Sequence, residues 1–306
     1  MRFSLLSTFV ALFFSIRAFA APTNGTLPPA CGSHVESSKL QTLATEFAGF
    51  EAAYKEIITK RAEDGELEER GSGFALKFIN VYWHAITAGG SSPGPHVPSY
   101  ATIYAQIARL NTEFRPVGYY FRLVRIDYTA NPTWYNLGEV TGPNAVAMKT
   151  QLRKGGVRDL NIYSVNSAVA GSTNLAGYSS FPWEYNANPK LDGIVIILGA
   201  LTGSHAYNDY FILGRTLVHE TGHWVGLLHT FTGGCSFPND YVSDTPQEAS
   251  PAYYCPTGQD TCPGGGPDPI HNFMDYTQDT CRWQFTPGQI WRARIIMWIY
   301  RGVWPW

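Results

Sequence analysis

The sequence predicts an α/β fold: a twisted, mixed and mostly parallel sheet with helices in an N-terminal lobe, then an irregular, disulfide-stapled C-terminal lobe ending in a helix. Three observations lead there. Strand-like and helix-like patterns alternate from residue 74 to residue 223, the order expected of a largely parallel sheet with helices packed on it. Residues 232–282 then lose their periodicity and become rich in Gly, Pro, Asp and Cys. So long an irregular stretch needs staples, and its four cysteines can supply them. Last, TPGQIWRARIIMWIYR starts with Thr286, Pro287 and Gln289, the capping box and first-turn proline of a helix.

The chain of 306 residues is 44% hydrophobic and 15% charged, enough for one large domain or two small ones around a sizeable core. A net charge of −2 leaves no electrostatic footprint for nucleic acid or for an anionic membrane. The first 20 residues read MRFSLLSTFVALFFSIRAFA. Arg2, the apolar run 3–16 and Ala18-Phe19-Ala20 make a secretory signal with an A-x-A cleavage site. The run is shorter than the ~20 residues a membrane span requires. Arg17 is unusual so close to the cut. A secreted, extracellular protein in an oxidising compartment is expected.

Residues 21–33 are Pro-rich and extended, with Asn24-Gly25-Thr26 as a glycosylation sequon. Leu40, Leu43, Phe47, Phe50, Tyr54, Ile57 and Ile58 follow one helical face, which predicts a helix over 37–60. RAEDGELEERGSG then reads as a charged, Gly-flanked linker. Residues 21–70 hold nine acidic and five basic side chains, whereas 71–306 hold fifteen of each. That shift marks a boundary near Arg70 between a pro-segment (21–70) and a main domain (71–306), with a cut after Arg61 or Arg70. A merely solvated charge run is the alternative.

Beyond it, FALKFINVYWHAI reads as a strand, VPSYATIYAQIARLNTEF as a helix and GYYFRLVRIDY as a strand. GPNAVAMKTQLRKGG is a short helix, DLNIYSVNSA a strand, and DGIVIILGAL a short buried strand. NDYFILGRTLVHETGH is expected to be one helix, starting at Asn208.

That helix leads into HETGHWVGLLH, residues 219–229. Residues i and i+4 of a helix share a face, with Cβ atoms about 5–6 Å apart. His219 and His223 can therefore hold one ion at the Zn–N distance of about 2.0–2.1 Å. Glu220 lies beside the pair but off the ligand stripe, where a general base belongs. His229 is out of reach along a straight helix. It becomes a third ligand only if the helix stops and the chain turns back, and Gly226 stands where that turn is needed. Three neutral imidazoles leave a fourth position for water, the pattern of a catalytic zinc site. Three satisfied core histidines are the structural alternative.

There are five cysteines. Cys235, Cys255, Cys262 and Cys281 allow three pairings, and Cys31 is left over.

HETGHWVGLLHTF followed by NFMDY resembles the metzincin metalloproteases. GGCSFPNDYVSDTP, CPTGQDTCPGGGPDPIHNFMDYTQDTC and FTPGQIWRAR resemble the pappalysin family, in its secreted microbial, fungal-type branch. The resemblance covers about residues 74–300. It implies a metzincin-like α+β, two-lobed zinc endopeptidase with His219, His223 and His229 as ligands and Glu220 as base. It places Met274 in a turn beneath the metal, and brings the Tyr276 phenol toward the metal and the oxyanion; core packing is the equal alternative for a lone Tyr. It pairs Cys235 with Cys262 and Cys255 with Cys281. Asp240, Asp244, Thr245 and Glu248 resemble its calcium-binding stretch, with a solvated acidic loop as the alternative. LAGYSSFPW, residues 175–183, resembles its cleft-edge strand, which pairs with extended peptides. Cys31-Gly32 resembles the Cys-Gly that keeps several metzincins latent, the thiolate taking the fourth zinc position. An intermolecular disulfide is the other use for that thiol.

The expectation is a secreted, monomeric zinc endopeptidase, made as a latent zymogen, that hydrolyses protein or peptide substrates. It binds neither nucleic acid nor membrane. The competing reading is a secreted peptide-binding protein with a zinc site but little catalysis, which would have no need of Glu220 as a base.

Overall fold

The computed structural model describes residues 28–63, 76–90, 97–236 and 239–304. The expected signal (1–20), the Asn24 sequon, the linker beyond Glu63 and the Arg70 boundary lie outside the described residues. The chain enters as a two-residue strand, β1 (Ala30–Cys31), and a long helix, α1 (Ser37–Glu63). The helix runs past Arg61, so the linker read as starting there is still helical at its first turn.

Next come β2 (Lys77–Thr87), α2 (Tyr100–Phe114) and β3 (Tyr119–Ala130). Three short elements follow, α3 (Pro132–Tyr135), β4 (Asn136–Glu139) and α4 (Pro143–Leu152). The lobe closes with β5 (Leu160–Val165), β6 (Ser167–Ala170), β7 (Thr173–Ser179), β8 (Ile194–Ile197) and α5 (Arg215–Trp224).

The eight strands form one sheet in the order β3-β2-β5-β8-β7-β6-β4, and β1 adds to β7. The β3-β2-β5-β8 stretch is parallel. Every residue of β5 and β8 is buried, as expected of central parallel strands covered on both faces and rich in Ile and Val. Strand β7 runs antiparallel to β8 and β6. Past the end of β6, the β7 edge opposite β8 takes β1 in parallel, with Ala30 opposite Leu175 and Cys31 opposite Gly177. Helix α2 lays Ile103, Ile107, Leu110 and Phe114 into the core, one stripe at helical spacing.

Helix α5 starts seven residues later than the sequence pattern implies. Tyr207, Asn208 and Asp209 have φ of 55°, 55° and 63°, and Gly214 has 71°, so a right-handed helix cannot run through them. The C-terminal lobe also caps α5. Asp279 Oδ2 accepts from the backbone N–H of Leu213 (2.9 Å) and Arg215 (3.1 Å), which satisfies donors at a helix start.

The C-terminal lobe, 225–286, has almost no regular structure. Disulfides Cys235–Cys262 and Cys255–Cys281 cross-link it. It ends in α6 (Pro287–Arg301), whose first turn carries the reciprocal Thr286–Gln289 capping box.

One buried charge cluster ties α6 to the sheet. Arg301 donates from both terminal nitrogens to Asp192, at 2.9 and 3.2 Å, and Arg153 donates at 3.2 Å. Ser180, beside the end of β7, donates to the same carboxylate at 2.9 Å. Burial pushes the Asp192 carboxyl up, but the Arg301 guanidinium outweighs it and leaves the group below its usual range. A depressed folded pKa stabilises the fold above the unfolded value of about 3.9, and that stability is lost as pH falls through the folded pKa. Asp192→Asn should therefore unfold at lower urea than wild type at pH 7, by about 3–5 kcal/mol for a broken buried pair. The gap between the two proteins should narrow between pH 4 and 2; a constant gap would refute the account.

Helix α5 stops in a glycine-dependent turn. Gly226 N–H bonds the His223 carbonyl and Leu227 N–H bonds the Gly222 carbonyl, both at 2.9 Å, the Schellman arrangement. Gly226 has φ 100°, and a Cβ there would overlap the Ile296 side chain of α6. Gly226→Ala should cost at least about 2 kcal/mol in urea unfolding. A near-neutral result would show that α6 can move away.

Candidate active site

Helix α5 lies beneath the β7 edge and presents His219, Glu220 and His223, all buried. The turn at Gly226 then brings His229 back to the same point. The three Nε2 atoms form a near-equilateral triangle: His219 to His223 3.1 Å, His223 to His229 3.0 Å, His229 to His219 3.2 Å.

The Nδ1 side of two rings is held by the backbone. His219 Nδ1–H donates to the Phe273 carbonyl at 2.7 Å, and His223 Nδ1–H to the Leu227 carbonyl at 2.8 Å. Those bonds select the tautomer whose Nε2 lone pair faces inward. Burial keeps the rings neutral: His219 and His229 are held well below the usual imidazole range, and His223 at about 4.

Inward lone pairs about 3 Å apart cannot hydrogen-bond to one another, and they repel. A cation at their centre resolves the conflict. A tetrahedral ion about 2.0–2.1 Å from each nitrogen would set them about 3.3–3.4 Å apart, close to the spacing observed. The donor set therefore fits a metal of the zinc type.

Met274 lies under this cluster, fully buried. Its thioether packs against Gly222 so closely that a Cβ there would collide with it. The same turn supplies the Phe273 carbonyl that holds His219, and the Met274 carbonyl accepts from Thr230 N–H at 3.3 Å, next to His229. The Tyr276 ring stands over His229 (centroids 5.0 Å) and His219 (5.8 Å). Its hydroxyl donates to the Cys31 carbonyl at 3.1 Å.

The N-terminal segment occupies the open side. Cys31 joins the three histidines in a group whose ligand atoms all lie within 4.8 Å of one another. Gly32 N–H bonds the Gly177 carbonyl at 2.9 Å. Ser33 Oγ accepts from Ser179 N–H at 2.8 Å and faces Glu220 Oε2 at 3.1 Å as a donor. Val35 and Leu43 then pack with Phe181 and Leu228, and Phe47 lies 4.1 Å beneath the Arg292 guanidinium. Burial pushes Glu220 up to about 8, opposed by its hydrogen bonds to Cys31 and Ser33.

Sequence reading did not single out Ser33, Gly177 or Gly222. An added Cβ on Gly177 would stand only 3.0 Å from Glu220 Oε1 and from the Val195 carbonyl, so a bare backbone lets the base reach the sheet edge. A glycine within a strand is the signal for such an approach.

The four acidic-loop residues separate. Asp244 accepts from Thr286 Oγ1 (2.7 Å) and Gly288 N–H (2.8 Å), so it caps α6. Glu248 accepts from Thr230 Oγ1 at 2.6 Å. Asp240 Oδ2 and Thr245 Oγ1 are buried without a hydrogen-bond partner. Among the described residues, no group of three or more potential ligands within 4.8 Å includes any of the four.

The peptidase M43 family model, described as Pregnancy-associated plasma protein-A, matches residues 154–297. That stretch spans α5, the Gly226 turn, the Met274 turn and most of α6. The chain is 39% identical to "Extracellular metalloprotease 1" of Coccidioides posadasii over 92% of both chains. It is 40% identical to the "Extracellular metalloprotease" of Sordaria macrospora over 87% of both. Among solved structures it is similar to mature mirolysin of Tannerella forsythia in complex with a cleaved peptide. The TM-score is 0.60 at 27% identity, over 72% of this chain and 90% of that one. Promirolysin gives 0.64 at 25% identity, over 88% and 93%. The His219–His223–His229 cluster, the disulfide-bonded lobe beneath it and these likenesses, which span 92% and 87% of the chain in the two relatives, place the chain in the pappalysin-type peptidase family, among the extracellular metalloproteases.

Proposed function

We propose that this protein is an extracellular zinc endopeptidase whose ligands are His219, His223 and His229 and whose general base is Glu220. The observation that carries the reading is the convergence of three inward imidazole nitrogens beside a buried carboxylate that takes no part in their triangle. When bound, zinc supplies Lewis acidity to the scissile carbonyl and to the attacking water.

Glu220 takes the proton from that water and returns it to the leaving amine. The Tyr276 hydroxyl steadies the charge that develops on the carbonyl oxygen. The β7 edge holds the peptide main chain through the Gly177 carbonyl and the Ser179 N–H, the groups that Gly32 and Ser33 engage here. Met274 and the Phe273 carbonyl hold the rings in place.

We further assign residues 21–70 as a pro-segment that makes the full chain latent, with Cys31 as the thiol that takes the position the water needs. Support comes from the proximity of Cys31 to the three histidines. A second ion, calcium, is proposed in the acidic loop at Asp240, Thr245 and Glu248, each with a buried side-chain oxygen that lacks a partner. Asp244 instead serves as a helix cap.

Glu220→Gln should keep stoichiometric zinc and the wild-type melting transition while peptidase turnover falls by about 10²–10⁴. A variant retaining more than about a tenth of wild-type turnover would remove Glu220 from this role.

Cys31→Ser zymogen should cleave a quenched peptide, or process itself, well before wild type does. Wild-type zymogen should gain activity on treatment with a thiol-reactive mercurial. If the serine variant stays as latent as wild type, inhibition comes from the bulk of α1 rather than from the thiol.

A further inference from the structure

The three histidines are not held alike. His219 and His223 stand on α5, and each has a backbone carbonyl on Nδ1, that of Phe273 and that of Leu227. His229 has neither support. It lies past the Gly226 turn in a stretch without regular structure. Among the described residues, its ring nitrogens meet only the other two Nε2 atoms. It is also the outermost of the three, 7% exposed against 2% for His219 and 0% for His223. The ring of a metal-binding histidine has to be aimed by a neighbour, because outer partners fix its orientation.

The neighbours of His229 are aromatic. Phe231, two residues further on, lies flat against it, with ring centroids 4.7 Å apart and planes 9° from parallel. The Tyr276 ring meets His229 nearly at right angles, at 5.0 Å and 85°. Phe231 and Tyr276 also pack on each other, at 5.0 Å and 77°. These are the attractive offset-stacked and T-shaped geometries of aromatic pairs. The torsion that spins a histidine ring has only broad minima of its own. A parallel face on one side and a perpendicular ring on another leave His229 one orientation.

Phe231 has little other work. Its side chain is half-buried and belongs to none of the apolar clusters of the described residues. Its printed ring contacts are His229 and Tyr276. The stack also responds to the metal. A bound cation draws electron density from the imidazole, and a π face attracts the positive charge that results. Phe231 therefore favours the loaded site over the empty one.

We propose that Phe231 is the positioning residue of the third metal ligand: its ring aims His229 Nε2 at the other two nitrogens, the task that backbone carbonyls perform for His219 and His223. The proposal rests on the zinc reading above and extends it to a residue that touches neither metal nor substrate.

The test uses the full-length chain, wild type and variants, loaded with zinc and titrated against a chelating dye. Phe231→Leu keeps an apolar side chain but removes the flat face, and zinc affinity should fall by about 10–100-fold, the usual effect of losing an outer partner. Phe231→Tyr restores the face and should stay within about threefold of wild type, on the same scale. The visible absorption of the cobalt-substituted chain, which reads the geometry around the ion, should match wild type in Phe231→Tyr and change in Phe231→Leu. Urea unfolding of the metal-free chains should coincide, since the ring lies outside the apolar core. If Phe231→Leu does not fold, Phe231→Met takes its place in each comparison. Unchanged zinc affinity in the Leu or Met variant, equal losses in the Tyr and Leu variants, or a cobalt spectrum that none of them alters would overturn the proposal. A wild-type chain that takes up no stoichiometric zinc would instead overturn the zinc reading itself, and the proposal with it.

Discussion

Three imidazole Nε2 atoms within about 3 Å of one another, two of them held as inward lone pairs, are the constraint on which the rest of this protein is built. Such a cluster is repulsive unless a cation sits in it, so the fold must impose it. Helix periodicity aligns His219 with His223. The Gly226 turn returns His229, and the packing of Ile296 against that turn leaves no room for a side chain there. The Phe273 and Leu227 carbonyls aim two of the rings. Each device is local, but their anchors come from different parts of the chain.

That explains why a lobe with so little regular structure is nonetheless rigid where it matters. The 225–286 region contributes a carbonyl, a thioether and a phenol to the site, and it caps α5 through Asp279. Two disulfides confine its irregular backbone, and disulfides of this kind reduce the freedom of the unfolded chain. The Asp192–Arg301 cluster then clamps α6 onto the sheet. The lobes are joined by buried charge and buried aromatic surface rather than by shared strands.

The N-terminal segment uses the sheet in another way. An exposed edge strand is a template for any extended chain. Here β1 fills that template, parallel to β7. Three consecutive residues of the segment reach three different targets: Cys31, at the end of β1, the histidine cluster; Gly32 the edge backbone; and Ser33 the carboxylate of Glu220. Gly32 itself lies tight against Leu175 and Tyr178, so a larger residue would push the segment off the edge. Backbone pairing supplies the register, and the register decides which side chain meets which group.

What the sequence alone determined was whatever depends on spacing along the chain. The i, i+4 histidines, the glycine that must end their helix, the alternation that makes a parallel sheet and the capped final helix were all legible, because helix and strand periods are local properties. The late start of α5 was not, since it depends on left-handed residues at 207–209 and on a capping carboxylate about seventy residues away. Nor was the division of the acidic loop into a helix cap, a threonine partner and an orphaned pair. Ser33 beside Glu220, and Arg215 bonded to Glu113, join residues 187 and 102 positions apart. Such contacts exist only once the sheet edge, α5 and the stapled lobe have packed, because they follow from distance in space, which a one-dimensional pattern does not encode.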